Sequence, residues 1–154
     1  MENGNTNWQQ SVTAVVIKDN KVLLARHTYG AGSGKLIVPG GYVNFGETPQ
    51  DAVIREYAEE TGITIKPKGI IGIRFNNHDW YVAFSADYVN GQAHSDNDEN
   101  SEVVWLDVNE ALNRDDIPDL TKKLISSALN SNNELSYTEY STNAKYGEYS
   151  LYSK

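Results

Sequence analysis

The chain has 154 residues, of which 39% are hydrophobic and 22% charged; this is enough for one ordinary domain and argues against disorder and collagen-like repetition. Thirteen basic and 21 acidic residues give a net charge of −8, which disfavours a broad nucleic-acid interface. The absence of cysteine excludes disulfides, thiol nucleophiles and cysteine-bound zinc.

The N-terminal third is rich in strand signals. The apolar segments VTAVVI at 12–17 and KVLLA at 21–25 are separated by Lys18-Asp19-Asn20, which predicts a β-hairpin. A glycine-containing loop follows at 29–34. The short apolar stretch at 36–38 predicts a strand that stops at the turn Pro39-Gly40-Gly41.

One helix is strongly signalled over residues 49–61. Thr48 is suited to the N-cap position, Pro49 to the first helical position and Gly62 to termination. A helix between strand segments predicts an α/β domain with a mixed sheet covered by helices.

The second half of the chain predicts further strands and two helical segments. Strands are expected at 63–65, 69–75, 80–89 and 103–106, and helices at 108–112 and 120–129. We treat 1–154 as one domain in which 131–154 is a C-terminal extension. That extension contains five of the ten tyrosines, and we favour a terminal hairpin over a partner-docking surface: Tyr137, Tyr140, Tyr146, Tyr149 and Tyr152.

Three carboxylates share one face of the predicted helix. At 100° per residue, Glu56, Glu59 and Glu60 lie within about 100° of one another. The opposite side carries the residues expected to pack on the sheet, so we expect the three acids to face solvent: Val53, Ile54, Tyr57 and Ala58. Clustered carboxylates favour hard cations, here Mg²⁺ or Mn²⁺.

The segment GYVNFGETPQDAVIREYAEETGI at 41–63 resembles the Nudix hydrolase box. That pattern is Gly, five residues, Glu, seven residues, Arg-Glu, an apolar residue, any residue, Glu-Glu, any residue, Gly and an apolar residue. All seven fixed positions match: Gly41, Glu47, Arg55, Glu56, Glu59, Glu60 and Gly62. Tyr57 departs from the usual aliphatic residue, and Leu36 from a frequent tryptophan.

The resemblance implies a Nudix-type α/β/α sandwich over about residues 10–130. It implies an enzyme that hydrolyses a nucleoside diphosphate linked to another group, by attack of water on phosphorus. The implied metal ligands for Mg²⁺ or Mn²⁺ are Glu56, Glu59, Glu60 and the carbonyl of Gly40.

The same resemblance assigns supporting roles to other polar residues. Arg55 is expected to orient the acids through ion pairs, and Glu47 to support that network or a second metal. Family members often add an acid from a later loop, as ligand or base. Glu102 is our candidate for this acid, with Glu99 second.

Two other segments partly resemble known ligand sites. Asp96, Asp98 and Asn100 have the spacing that begins an EF-hand loop, but Ser101 replaces its glycine and Asp107 its bidentate glutamate, so we do not expect calcium. The segment 30–35 lacks the spacing of a P-loop and is interpreted as a connection near the site.

The substrate is expected to be a small nucleotide adduct such as ADP-ribose. Tyr29, Trp80 and Tyr81 are candidates for contact with a base or ribose, although Trp80 and Tyr81 should point to opposite faces of a strand. No basic cluster beyond Arg26, Lys35 and Arg74 is available to hold a triphosphate. Oxidised nucleoside triphosphates, and a non-catalytic nucleotide sensor, remain as alternatives.

No apolar run is long enough to span a bilayer, and residues 1–10 lack the features of a signal peptide. We therefore expect a cytoplasmic protein without a membrane or nucleic-acid partner. A homodimer is left open.

Overall fold

The computed structural model describes residues 9–130, 132, 134–141 and 150–154. Its elements, in chain order, are β1 (Gln9–Lys18), β2 (Lys21–His27), β3 (Leu36–Ile37), β4 (Gly40–Tyr42), α1 (Pro49–Thr61), β5 (Thr64–Phe75), β6 (Asp79–Asn90), β7 (Asn100–Asp107), α2 (Val108–Leu112), α3 (Asp119–Leu129), β8 (Leu135–Thr138) and β9 (Leu151–Ser153). Within the described part, no helix is long and apolar enough to cross a membrane.

The strands form a mixed sheet in which β1 is central. β1 pairs parallel with β6 over eight residues and antiparallel with β4. The expected hairpin is confirmed, but β1 pairs with β2 only at Ile17↔Val22 and Lys18↔Lys21. Beyond this point the strands diverge, and β2 pairs with β3 and β7.

Alternation along β1 divides the core between the two faces of the sheet. Val12, Ala14 and Val16 pack with buried residues of α1, whereas Val15 packs with those of α2 and α3. This gives the expected α/β/α sandwich. Tyr57, the departure from the usual aliphatic residue, is fully buried, and its hydroxyl donates to the carbonyl oxygen of Ala14.

Helix α1 begins and ends where the sequence predicts. The Thr48 side chain accepts from the backbone N–H of Asp51, Pro49 is the first helical residue, and Gly62 adopts φ 76°. The two strands predicted at 63–65 and 69–75 are instead one strand, β5, whose pairing with β6 shifts register at three places. Bulges of this kind accommodate Pro67 and Gly69 within a continuous strand.

The C-terminal extension adds strands to the edge of the sheet. β8 pairs antiparallel with β5, and β9 pairs with β8, which confirms the favoured hairpin for the described residues. Tyr152 packs edge-on against Phe84 at 5.7 Å and Tyr137 at 5.8 Å, measured between ring centroids. Tyr146 and Tyr149 lie outside the described residues.

Candidate active site

The turn before α1 places a glycine pair between strand β1 and the helix. A Cβ atom on Gly40 would lie 2.1 Å from the carbonyl oxygen of Val12, and one on Gly41 would lie 2.5 Å from the carboxyl carbon of Glu56. Only glycine allows β4 to approach both neighbours this closely. The Glu56 carboxylate is therefore seated against the backbone of the turn.

Gly41→Ala is expected to lower turnover by about 10–100-fold with little loss of stability, because the new methyl group displaces only the flexible end of Glu56. Steady-state kinetics and thermal melting check this result. Gly32→Ala is the matched control, since its Cβ would meet Ile37 Cδ1 at an ordinary 3.6 Å. Equal activity of the Gly41 variant and wild type would contradict this view of Glu56.

Glu60 corrects the prediction that all three acids face solvent, because only 3% of its surface is exposed. The buried side of α1 is rotated towards the acids: Ala52 and Val53 are buried, whereas Ala58 is exposed. The backbone N–H of Gly40 donates to the Glu60 carboxylate. The Asn100 side chain caps the Glu60 carbonyl at 2.9 Å.

The electrostatic environment of Glu60 and Glu56 is unfavourable to negative charge. Burial, followed by the charges of Glu56 and Glu99, raises the pKa of Glu60 to about 9. Burial also raises the pKa of Glu56, although Arg55 opposes the shift. No lysine or arginine in the described ranges forms an ion pair with Glu60. A cation would remove the cost of ionising this carboxylate.

Arg55 connects the acids of the helix to the preceding loop. Its Nε lies 2.7 Å from Glu47 Oε2, and its Nη1 lies 2.8 Å from Glu56 and 3.1 Å from Glu59. Its Nη2 donates to Glu47 Oε1 and to the Tyr42 carbonyl, each at 3.0 Å. The paired arginine lowers the pKa of Glu47. The ion pairs expected of Arg55 and Glu47 are present.

Of the two later acids, Glu99 rather than Glu102 interacts electrostatically with the cluster. Glu102 lies on β7 and pairs with Arg26 at 2.9 Å, and Arg26 also pairs with Asp116 at 3.2 Å. The charge of Glu99, in contrast, raises the pKa of both Glu56 and Glu60. Because Arg26 already engages the Glu102 carboxylate, we now prefer Glu99 for this role, and its participation stays a prediction.

A cavity of about 170 Å³ opens beside the glycine pair. Tyr29 and Tyr81 line it, as does His27, which the sequence analysis did not select. His27 is the last residue of β2 and directly precedes the glycine-containing loop, and this position could have identified it in the sequence. Trp80 lies on the other face of the sheet, edge-on to Phe75 at 5.0 Å, as alternation along β6 requires.

The predicted metal ligands are brought together only in part. Glu56 and Glu60 interact electrostatically and both lie at the glycine turn, whereas Glu59 is the most exposed of the three and pairs with Arg55. Among the described residues, no three acid or histidine side chains already form a metal-binding group. A buried carboxylate beside a second carboxylate and a backbone turn nevertheless fits a hard divalent cation.

Two known hydrolases are similar to this chain in sequence. The chain is similar to an ADP-ribose pyrophosphatase from Methanocaldococcus jannaschii, with 32% identity over 105 residues, covering 64% of this chain and 62% of that protein. It is also similar to the NAD-capped RNA hydrolase NudC from Vibrio parahaemolyticus, with 37% identity over 106 residues, covering 64% of this chain and 38% of that protein. The chain thus spans less than two thirds of the length of either relative.

The fold resembles the crystal structure of a MutT protein from Methanosarcina mazei Go1, with a TM-score of 0.67, 27% identity and coverage of 82% of this chain and 96% of that one. A family profile described as NUDIX domain matches residues 8–127, which is most of the chain and includes β1 to α3 almost completely. The chain belongs to the NUDIX domain family.

Proposed function

We propose that this chain is a metal-dependent pyrophosphohydrolase that cleaves a nucleoside diphosphate linked to another group. The observation that carries the proposal is the buried carboxylate of Glu60, set beside Glu56 at the Gly40-Gly41 turn. A buried acid without a basic partner is costly in a purely structural role. It is useful where a cation and a diphosphate must be held together.

Some residues of the site would bind the cation, and others orient the residues that bind it. Glu56, Glu59, Glu60 and the Gly40 carbonyl would hold Mg²⁺ or Mn²⁺. When bound, the cation neutralises the diphosphate and makes water more acidic. Arg55 orients Glu56 through the 2.8 Å ion pair and is itself held by Glu47. A carboxylate of this cluster accepts a proton as water attacks phosphorus.

An ADP-ribose type of adduct fits the surroundings better than a nucleoside triphosphate. Tyr29 and Tyr81 border the cavity at the glycine turn, where their rings can contact a base or ribose. Arg26 and Arg74 are already paired, with Glu102 and Asp79 respectively, so they are poorly placed to hold a third phosphate. The similarity to an ADP-ribose pyrophosphatase supports the same choice.

Incubation with Mg²⁺ and a panel of ADP-ribose, nucleotide sugars and nucleoside triphosphates tests the proposal. The expected products are AMP and ribose 5-phosphate from ADP-ribose, formed faster than any product from a triphosphate. Pyrophosphate release from triphosphates as the main activity would favour the alternative substrate class. Binding without turnover across the panel would favour a nucleotide sensor. A cytoplasmic location stays a prediction.

A further inference from the structure

The last turn of α1 is held by a segment from elsewhere in the chain, residues 94–100. Glu60 is the second-last residue of the helix, so its carbonyl is one of the final four that a helix leaves without an internal partner. The Asn100 Nδ2 donates to that carbonyl at 2.9 Å, and the His94 N–H donates to the Thr61 carbonyl at 3.0 Å. Helix ends fray readily. The backbone position of Glu60 therefore depends on the 94–100 segment.

Asn100 is itself fixed within the 94–100 segment by contacts of its backbone. Its N–H donates to Asp96 Oδ1 at 3.0 Å, and its carbonyl accepts from the Ser95 hydroxyl at 2.9 Å. Asp96 Oδ1 also accepts from the Asp98 N–H at 3.0 Å. The alternating polar residues that resemble the start of an EF-hand loop therefore close a turn through Asp96. The Asn100 side chain reaches α1 from a backbone that is restrained on both sides.

The two ends of the Asn100 amide are used unequally. The residue is 1% exposed, and its Oδ1 has no hydrogen-bond partner among the residues that the structure describes. A buried acceptor without a donor destabilises the folded state. Rotating the amide by half a turn would set this oxygen against the Glu60 carbonyl, so the observed orientation is the favourable one. The contribution of the side chain is therefore its single hydrogen bond to α1.

Glu56 and Glu60 are held in place by different parts of the chain. The Glu56 carboxylate lies against Gly41 one turn inside the helix, whereas Glu60 lies on the turn that Asn100 holds. A rotation of this last turn would move Glu60 relative to Glu56. We propose that Asn100 is a positioning residue that fixes the last turn of α1 and so keeps the two carboxylates at the spacing that cation binding needs. This inference rests on the proposed function.

Manganese affinity of the chain, measured by electron paramagnetic resonance, tests the role of Asn100 without relying on turnover. In Asn100→Leu the side chain has nearly the same size but cannot donate a hydrogen bond. We expect this variant to weaken Mn²⁺ binding and to lower kcat, each by about tenfold, while the KM for ADP-ribose changes less than twofold. Asn100→Ala provides the same test if the leucine variant does not fold, and it should weaken Mn²⁺ binding by at least about threefold.

Ser127→Ala is the matched control, because the Ser127 hydroxyl also donates to a distant backbone carbonyl, that of Ile71 at 2.6 Å, but from α3. It should lower thermal stability and leave Mn²⁺ affinity and kcat unchanged. Wild-type Mn²⁺ affinity in both Asn100 variants, or an equal loss of affinity in Ser127→Ala, would overturn the role of Asn100. Mn²⁺ binding that depends on Asn100 but is not accompanied by hydrolysis would contradict only the proposed function, whereas absence of Mn²⁺ binding by wild type would contradict both.

Discussion

Glu60→Gln is expected to reduce turnover by at least about 100-fold while stabilising the metal-free protein. Turnover falls because the amide cannot supply the negative charge that a cation requires. The fold should persist, because glutamine has nearly the same shape and its oxygen can still accept the Gly40 N–H. Kinetics with ADP-ribose and Mg²⁺ measure the first effect, and wild-type turnover would show that Glu60 is not a ligand.

The gain in stability follows from the pKa of Glu60. The folded chain retains a proton at this carboxyl up to about pH 9, whereas the unfolded chain releases it near the ordinary value of 4.5. At pH 8 the substitution should therefore raise the free energy of unfolding by up to about 5 kcal/mol, at about 1.4 kcal/mol for each pH unit above the unfolded pKa. Urea unfolding in EDTA measures this change in the free energy of unfolding. Glu59→Gln is the matched control because Glu59 is exposed, and an equal gain there would contradict this explanation.

Removal of metal should make the wild-type protein sensitive to alkaline pH. Because the folded state binds more protons than the unfolded state between the two pKa values of Glu60, stability in EDTA should fall as the pH rises from about 4.5 towards 9. Mg²⁺ should restore about 3 kcal/mol at pH 8 when present at about 100 times its Kd, and much less at pH 5, where Glu60 holds its proton more firmly.

Unfolding in urea at pH 5 and pH 8, with Mg²⁺ or EDTA, provides the comparison. Glu60→Gln should show a smaller fall with pH and a smaller response to Mg²⁺. A wild-type protein whose stability in EDTA does not change over this range, or that gains equally from Mg²⁺ at both pH values, would argue against a buried ionisable cation site at Glu60.

Local signals account for the elements that the sequence predicted well. Thr48, Pro49 and Gly62 act within one turn of the ends of α1, and Asp19 and Asn20 form the hairpin turn with φ values of 52° and 62°. The alternation of side chains along a strand predicted that Trp80 and Tyr81 lie on opposite faces of the sheet. These features depend on neighbours in sequence, so they are visible without the fold.

The features that the sequence did not reveal depend on contacts between distant parts of the chain. A helical wheel locates Glu60 relative to Val53 but does not show that β4 and Asn100 cover that side of α1. The pairing of Glu102 with Arg26 across β2 and β7 is also invisible in the sequence. Continuity of β5 through Pro67 likewise depends on bulges opposite β6.

Hydrolysis of ADP-ribose in ¹⁸O-labelled water, with and without Mg²⁺, tests the central claim most directly, because it reports both the attacked atom and the need for a cation. We expect one ¹⁸O atom in the phosphate of a single product, AMP or ribose 5-phosphate, and no products in EDTA. The same label should be nearly absent with Glu60→Gln. Label at a ribose carbon, or undiminished hydrolysis in EDTA, would contradict metal-assisted attack of water on phosphorus.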